Sequence, residues 1–520
     1  MSGPAGLLPP VSSGLPSSRR WPALGVLCLA LLVVTLDNTI LNVVLPTLTR
    51  QMDATSSQLQ WVVDAYVLVF AGLLLVAGSL ADRLGRKRTF LTGLLVFLAG
   101  SAWAAFAGSV GMLIAARAFM GIGAALINPS TLSIVTTLFT DHRERQRAFG
   151  IWAATSGVGI ALGPIAGGLL LAHFWWGSVF LINVPVIAVA LVCAVPLVPD
   201  SRDPAAGRPD LVGSALSIAG LSLTLWAVIE APNDGWTSDL VLLTGLGGLA
   251  VLAAFVVWEL RTPHPMLKLR FFRDRGFSAG IGTLAFVMLS GSGALFILTQ
   301  YLQFHLGYSA LECGVRVLPA AAAIVVVAPA VAPLARVVGR KWLLVTGLSV
   351  VGAGLFQLSR ITVDTSYLSE LPYMTLLGVG MGLVLPAATA SIMESLPRAH
   401  TGVGSATNST FMQMGTALGV AVLGSLLSTR YRDQLAPVLS GHRVPEAVRE
   451  TVLGSLGGAH AVAERIGAPA RPLLALAESA FVDGLSLALR TGALVVLAAA
   501  LLVWLVAPSA AARERERKGS

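Results

Sequence analysis

Fourteen continuous apolar runs divide the chain, each near the roughly 20 residues that an α-helix needs to cross the hydrocarbon core of a bilayer. Seven lie at 22–45, 59–80, 89–108, 110–136, 147–171, 177–197 and 211–231. Seven more lie at 239–260, 277–301, 311–335, 342–359, 371–392, 402–427 and 483–507. Within each run the apolar residues are consecutive rather than alternating, which excludes a membrane β-barrel. Helices remain, because they satisfy every backbone donor and acceptor internally. Charged residues make up 12% of the 520, against roughly 25% in a soluble domain. Lipid must therefore be the solvent for most of the outer surface. The expected fold class is an all-α integral membrane protein with 14 transmembrane helices.

The charges set the orientation. The net charge is +9, and basic chains often bind nucleic acid. Here the basic residues sit in short loops and form no continuous stripe, so no nucleic-acid partner is indicated. With the N-terminus inside, 24 of the 35 Lys and Arg residues fall on the inner face, from Arg19 to Lys518. The positive-inside rule then predicts a multi-pass protein of the cell (plasma or inner) membrane with both termini cytoplasmic. The first run is too long for a signal-peptide core and continues to Pro46 without a cleavage-type site, so it is expected to be retained. Residues 1–20, rich in Pro, Ser and Gly, are expected to form a disordered cytoplasmic tail, and 508–520 a charged one. Cys28, Cys193 and Cys313 have neither disulfide-framework nor metal-ligand spacing, and no metal site is predicted.

An internal repeat sets the architecture. GSLADRLGRK (Gly78 to Lys87) recurs as APLARVVGRK (Ala332 to Lys341), 254 residues on. GIGAALINP (Gly121 to Pro129) recurs as GVGMGLVLP (Gly378 to Pro386), and GIALG (Gly159 to Gly163) as GTALG (Gly415 to Gly419), displaced by 257 and 256. Three weak matches at nearly one displacement are strong together. They map spans 2, 4 and 5 onto 10, 12 and 13. Two six-helix pseudo-symmetric halves follow, 21–200 and 277–507, with an inserted helix pair (7 and 8) and cytoplasmic linker at 201–276. An even shift keeps the halves parallel, as in transporters whose halves rock about a central site. The segment 428–482 reads as a long outer loop with helical stretches at 445–456 and 472–481.

Four motifs carry a resemblance. Gly78 to Arg88 fits the loop 2–3 signature GxLaDrxGrkr, and Leu36 to Pro46 (LDNTILNVVLP) a span 1 signature. Leu113 to Gly123, with Arg117, fits a span 4 signature, and Gly157 to Gly168 (GVGIALGPIAGG) a span 5 signature. Together they resemble the major facilitator superfamily, in particular its fourteen-helix drug/proton antiporter family. The resemblance implies alternating access, with a small molecule and protons as partners. It gives gating roles to Gly78, Asp82, Arg83, Gly85 and Arg86, and to Gly157, Gly163, Pro164, Gly167 and Gly168. Each has a physical reading. Gly85 permits a tight turn. Asp82 is expected to meet a helix N-terminus or an Arg across the two halves. The span 5 glycines, with Gly159, let another helix approach closely, and Pro164 permits a bend.

Charges inside the spans bear most on function, since an ionised side chain at a helix centre costs about 2.5–3.5 kcal/mol on insertion scales. At a rise of about 1.5 Å per residue, Asp37, Asp64 and Arg117 lie about 12, 8 and 10 Å below the outer end of their helices. Three charges on three helices of one half thus share a level. The resemblance makes Asp37 and Arg117 motif positions, and an acid at Asp64 occurs in relatives that export cationic drugs. All three are expected to couple protons. The repeat sets Met374 against Arg117, Leu318 against Asp64 and the apolar Gly291–Gly293 stretch against Asp37. The second half has therefore lost these charges and is freer to shape a pocket. Its own buried charges are expected to be Arg316, with Glu312 one turn away, and Arg490. Asp64, Asn408, Gln413 and Arg316 are the expected cavity residues. Asn408 and Gln413 stand in span 13, where some family members carry acids, which argues against divalent organic cations as substrates.

The expected function is a proton-coupled secondary active exporter of hydrophobic or amphipathic drugs or antibiotics. The alternative is a proton antiporter for a specific metabolite such as a siderophore or amino acid. No phosphate-binding loop indicates ATP, so the expected drive is the proton gradient without a cofactor. No nucleophile–base set or metal cluster indicates an enzyme. A transport-dead receptor would have no need of Asp37, Arg117 and the glycine run. A monomer is the expected unit.

Overall fold

The computed structural model describes residues 17–202, 209–396, 401–440 and 445–507. Among these, all regular structure is helical, and fourteen helices are long and apolar enough to cross a bilayer. Spans 1 to 5 are Arg19–Met52, Ser56–Leu84, Arg86–Ala105, Val110–Leu138 and Arg143–His173. Spans 6 to 10 are Ser178–Leu197, Leu211–Asp234, Asp239–Arg261, Arg275–His305 and Ala310–Val337. Spans 11 to 14 are Arg340–Leu358, Tyr367–Glu394, Gly404–Ser440 and Ala468–Val506. An even number of crossings brings residues 17 and 507 to the same face, here the terminal face. The opposite one is the far face.

Two expected boundaries are corrected. The first helix begins at Ser17, so residues 17–20 belong to it and not to a disordered tail; 1–16 and 508–520 lie outside the described residues. The segment 428–482 is mostly not loop. Span 13 continues to Ser440, and the stretch expected as a separate helix at 472–481 forms the first turns of span 14. Between them lie two short helices, Glu446–Gly454 and Leu456–Ile466. Hydropathy marks where lipid ends, whereas a helix continues for as long as its backbone is hydrogen-bonded and its side chains find a place.

The duplication is visible in the packing. Span 1 packs on 5 and 6, span 2 on 4, and span 3 on 4 and 6; span 9 packs on 13 and 14, span 10 on 12, and span 11 on 12 and 14. Gly85 and Gly339, equivalent in the repeat, have φ of +112° and +88°, a region that favours glycine. Gly159 sits against Thr35 and the Leu32 carbonyl, and Gly415 against Met288 and the Ala285 carbonyl. That register pairs Thr35 with Met288, and so sets Ser290, rather than Gly291–Gly293, opposite Asp37.

Span 7 packs on spans 2 and 13. Ser214 donates to the Gly72 carbonyl at 2.8 Å, and Ser425 to the Val228 carbonyl at 2.6 Å. The inserted pair thus covers a seam between the halves. The halves meet directly through spans 5 and 10 and through spans 2 and 13. Hydrogen bonds between them lie toward the far face. Gln303 donates to the Val43 carbonyl (2.9 Å) and Arg50 to the Gln303 carbonyl (3.4 Å), and the Gln60 amide packs against Gly424 and Ser425. The far face is closed.

Candidate functional site

Arg117 and Asp37 are both fully buried, and Nη1 of the first donates to Oδ2 of the second at 2.5 Å. Span 4 presents the guanidinium and span 1 the carboxylate. Arg117 Nε also donates to the Val62 carbonyl of span 2 at 3.2 Å. Its guanidinium lies 4.2 Å from the Tyr66 ring centroid and 5.9 Å from that of Phe180, within cation–π range. Asn183 donates to the other Asp37 oxygen at 2.9 Å and to Ser101 at 3.3 Å. Span 6 is interrupted just there, between Ser178–Leu181 and Asn183–Leu197. Five helices thus converge on one carboxylate–guanidinium pair. The bonds from Asn183 and to the Val62 carbonyl offset part of the cost of burying such a pair. Arg117 Nη2, Tyr66 Oη and Asn183 Oδ1 make no hydrogen bond, so the network keeps spare capacity.

Asp64 shares the level but not the face. On a helix of about 3.6 residues per turn, Val62 and Tyr66 lie within about 40° of each other and Asp64 about 160° from both. Val62 and Tyr66 address Arg117. Asp64 points the other way, with Gln60, whose side chain meets Gly424 and Ser425 of span 13. Asp64 is fully buried, and neither carboxylate oxygen has a hydrogen-bond partner. It therefore stands apart from the Asp37–Arg117 pair, on the side of span 2 that faces the second half.

The other expected cavity residues do not form one site with it. Arg316, near the far end of span 10, stacks 3.6 Å from the Tyr308 ring centroid and 5.4 Å from that of Tyr367, with Glu312 3.9 Å away. Asn408, near the other end of span 13, accepts from Thr389 of span 12 at 3.3 Å. Gln413 is half-buried between those levels. Arg490 is exposed, not buried, because its side of span 14 faces away from the bundle. The counterpart of Asp37, Ser290, is buried and donates to the Gly492 carbonyl of span 14 at 3.1 Å. A hydroxyl holds in the second half the place of the acid in the first.

Asp82 pairs with Arg86 of its own half at 2.8 Å, not with a group across the halves. Arg86 also donates to the Ser133 carbonyl of span 4 at 3.3 Å, and its backbone N–H to the Ser201 carbonyl at 2.8 Å. Arg83 is exposed, and a Cβ at Gly78 would meet Pro129 at 3.8 Å, ordinary contact. The loop 2–3 motif thus fastens spans 2, 3 and 4 and the segment after span 6. In the repeat, Arg340 pairs with Glu394 at the end of span 12.

The span 5 motif has two faces. Gly159, Gly163 and Gly167 press on Thr35, Thr39 and Ile40 of span 1, within the half. Gly168 meets Leu311, and the Pro164 backbone meets Gly314, both of span 10 in the other half. Gly157 faces open space, with nothing within 4 Å of a Cβ built there. Its expected close-packing role is corrected. Asn183, Ser101, Tyr66 and Phe180 were not singled out by the sequence; the polar Asn183 beside Pro185, inside an apolar run, was the one available signal.

Two duplicated six-helix halves, closed at one face and holding a buried ion pair in one half, define a membrane transporter. The chain belongs to the Major Facilitator Superfamily, which it matches over residues 27–420, and is a secondary transporter rather than an enzyme. It is 36% identical over 491 residues to the multidrug efflux pump LfrA of Mycolicibacterium smegmatis, covering 94% of this chain and 96% of that protein. It is 33% identical over 505 residues to the tetracenomycin C resistance and export protein of Streptomyces glaucescens, covering 96% and 93%. Its fold is similar to that of a bacterial homolog of the human lysosomal transporter Spinster, solved inward-facing and unoccupied. The TM-score is 0.67 at 18% identity, covering 95% of this chain and 98% of that one.

Proposed function

We propose that the protein exports hydrophobic or amphipathic drugs or antibiotics across the cell membrane by alternating access, in exchange for protons. The observation that carries the reading is the buried Asp37–Arg117 pair with its Asn183 partner, in a chain whose relatives include multidrug efflux and antibiotic-export proteins. A carboxylate held in apolar surroundings by one guanidinium is a group whose protonation and pairing exclude each other. Asp64, buried without a partner on the face toward the second half, supplies a second acid for a proton or a cationic substrate. The positive-inside bias supports a cytoplasmic terminal face, which makes the closed far face the outer one. The protein works as a monomer without a cofactor. One proton entering across 100 mV supplies about 2.3 kcal/mol, and at 1.36 kcal/mol per tenfold that sustains about a fifty-fold drug gradient.

The test is a toxicity screen in a drug-sensitive bacterium expressing the protein, repeated with ΔpH and membrane potential collapsed. Protection against several unrelated amphipathic drugs, lost on collapse, is expected. Protection that survives collapse rules out the proton drive.

A further inference from the structure

Glu370 occupies the first turn of span 12, at the far end, and is 1% exposed. The one side-chain donor within reach of its carboxylate is the neutral Tyr301 hydroxyl, in poor alignment, and no cation pairs with it. That hydroxyl is shared with the Thr365 carbonyl, 3.4 Å away. The guanidinium of Arg316 is engaged elsewhere, stacked on Tyr308 and donating to the Glu312 carbonyl at 3.3 Å. The repeat makes the placement pointed. Span 12 corresponds to span 4, and Glu370 lies one turn nearer the far face than Met374, the counterpart of Arg117. On span 4 the buried charge has a counter-ion. On span 12 the acid has none.

The turns of span 10 that bond to the first turn of span 12, where Glu370 sits, also close the far face. Leu311 and Gly314 press on Gly168 and Pro164 of span 5, across the halves. Two residues further along, the Arg316 carbonyl accepts from the Tyr367 hydroxyl at 2.9 Å. The stretch of span 10 that closes on span 5 is therefore the one to which the first turn of span 12 is fastened. Sealing an ionised carboxylate with one shared neutral donor and no counter-ion is unfavourable, and a proton on it removes most of that penalty.

We propose that Glu370 is a proton-operated latch of the far face: the face closes when Glu370 carries a proton and opens as it gives the proton up. One proton passes from far-side water to a Glu370 oxygen on closing and returns to the same side on opening. No net transfer across the membrane results. The titratable and charged groups around it are Tyr301 and His305 from span 9, Tyr308 from the following turn, Arg316 and Glu312 from span 10, and Tyr367 from its own helix. Arg360 and Asp364, in the loop before span 12, are exposed. The latch rests on the alternating access proposed above but not on protons being the driving ion.

The experiment uses proteoliposomes without drug or gradient. A single cysteine at Leu311, in a variant with the native cysteines replaced by alanine, is labelled with a membrane-impermeant maleimide from the far side across a pH series. The labelling rate, divided at each pH by that of a permanently exposed control cysteine so that thiol ionisation cancels, is expected to rise with pH by up to about tenfold per unit, the limit for a one-proton equilibrium. Glu370→Gln should give low labelling at every pH, while Glu370→Asp restores a titration and so separates loss of the proton site from loss of the fold. A wild-type rate that ignores pH, or a Glu370→Gln profile that still follows the wild type, overturns the latch. Drug export is measured separately. Export that is not proton-driven, beside a labelling titration that Glu370→Gln abolishes, would sink the coupling reading and leave the latch standing.

Discussion

Gly314 of span 10 lies so close to Pro164 of span 5 that a Cβ on it would overlap the proline carbonyl. The two backbones meet because neither position offers a side chain at the contact. They belong to different halves, so the contact exists only while the far face is closed. Gly163, two turns from Gly157 on the same helix, makes a contact of another kind, against Thr39 within its own half. Switching and assembly thus use different faces of one glycine motif.

Gly314→Val is expected to insert normally and to hold the far face open. Overpacking costs about 1–3 kcal/mol, and here it falls on the far-closed state alone, shifting the equilibrium about 5–150-fold. Drug export should drop at least tenfold, and far-side cysteine labelling should rise in parallel. Wild-type labelling of the variant would show that this contact does not govern closure.

Gly163→Leu should act differently. The Thr39 side chain and the backbone of span 1 close the space in front of it, and they are present in every conformation. The expected result is lower thermal stability in detergent, with residual protein still able to switch. Gly157→Ala, with nothing to meet, should be neutral in both assays. A Gly157→Ala defect as large as that of Gly163→Leu would mean that Gly157 is packed in another state.

Asp82→Asn removes a pair whose partners are both partly exposed, Arg86 at 16% and Asp82 at 36%. Such pairs contribute about 0–1 kcal/mol, so little stability should be lost. Arg86→Gln also removes the bond to the Ser133 carbonyl, which ties spans 2 and 3 to span 4, and should reduce transport more than Asp82→Asn does. The reverse order, seen in vesicle export at equal expression, would return Asp82 to a role across the halves that the far-closed state lacks.

The spans, the duplication and the two members of the ion pair were legible in the sequence, each for a physical reason. Lipid demands long apolar runs, and a charge within one is conspicuous. Asn183 was obscured because an Asn beside Pro185 reads as a helix break, which it also is. The separation of Asp64 from Arg117 was readable in principle from helical phase, since Val62 and Tyr66 cannot share a face with residue 64. Depth alone places the three charges together; angle separates them. Glu370 lies in the first turn of an apolar run, where an acid suggests the interface. Only tertiary packing, with Tyr301 beside it, makes it buried.

Asp37 distinguishes coupling from stability. Removing one partner of a buried ion pair costs about 3–5 kcal/mol, because the other charge is left uncompensated. Asp37→Ala takes from Arg117 both the counter-ion and the acceptor, and from Asn183 its acceptor at 2.9 Å; low yield is expected. Asp37→Asn keeps an acceptor oxygen for Arg117, which retains the Val62 carbonyl and the Tyr66 ring. It resembles the protonated acid in shape and charge, but no proton can leave it. A yield between those of Asp37→Ala and the wild type, with drug binding retained, is expected, and ΔpH-driven export per inserted molecule from inverted vesicles should fall at least tenfold. Asp37→Glu should keep part of the activity with a displaced pH optimum, since the acid is retained and the distance to Arg117 is altered. Wild-type ΔpH dependence in the Asn variant would transfer the coupling role to Asp64. The same export assay on Asp64→Asn would then have to lose its response to ΔpH.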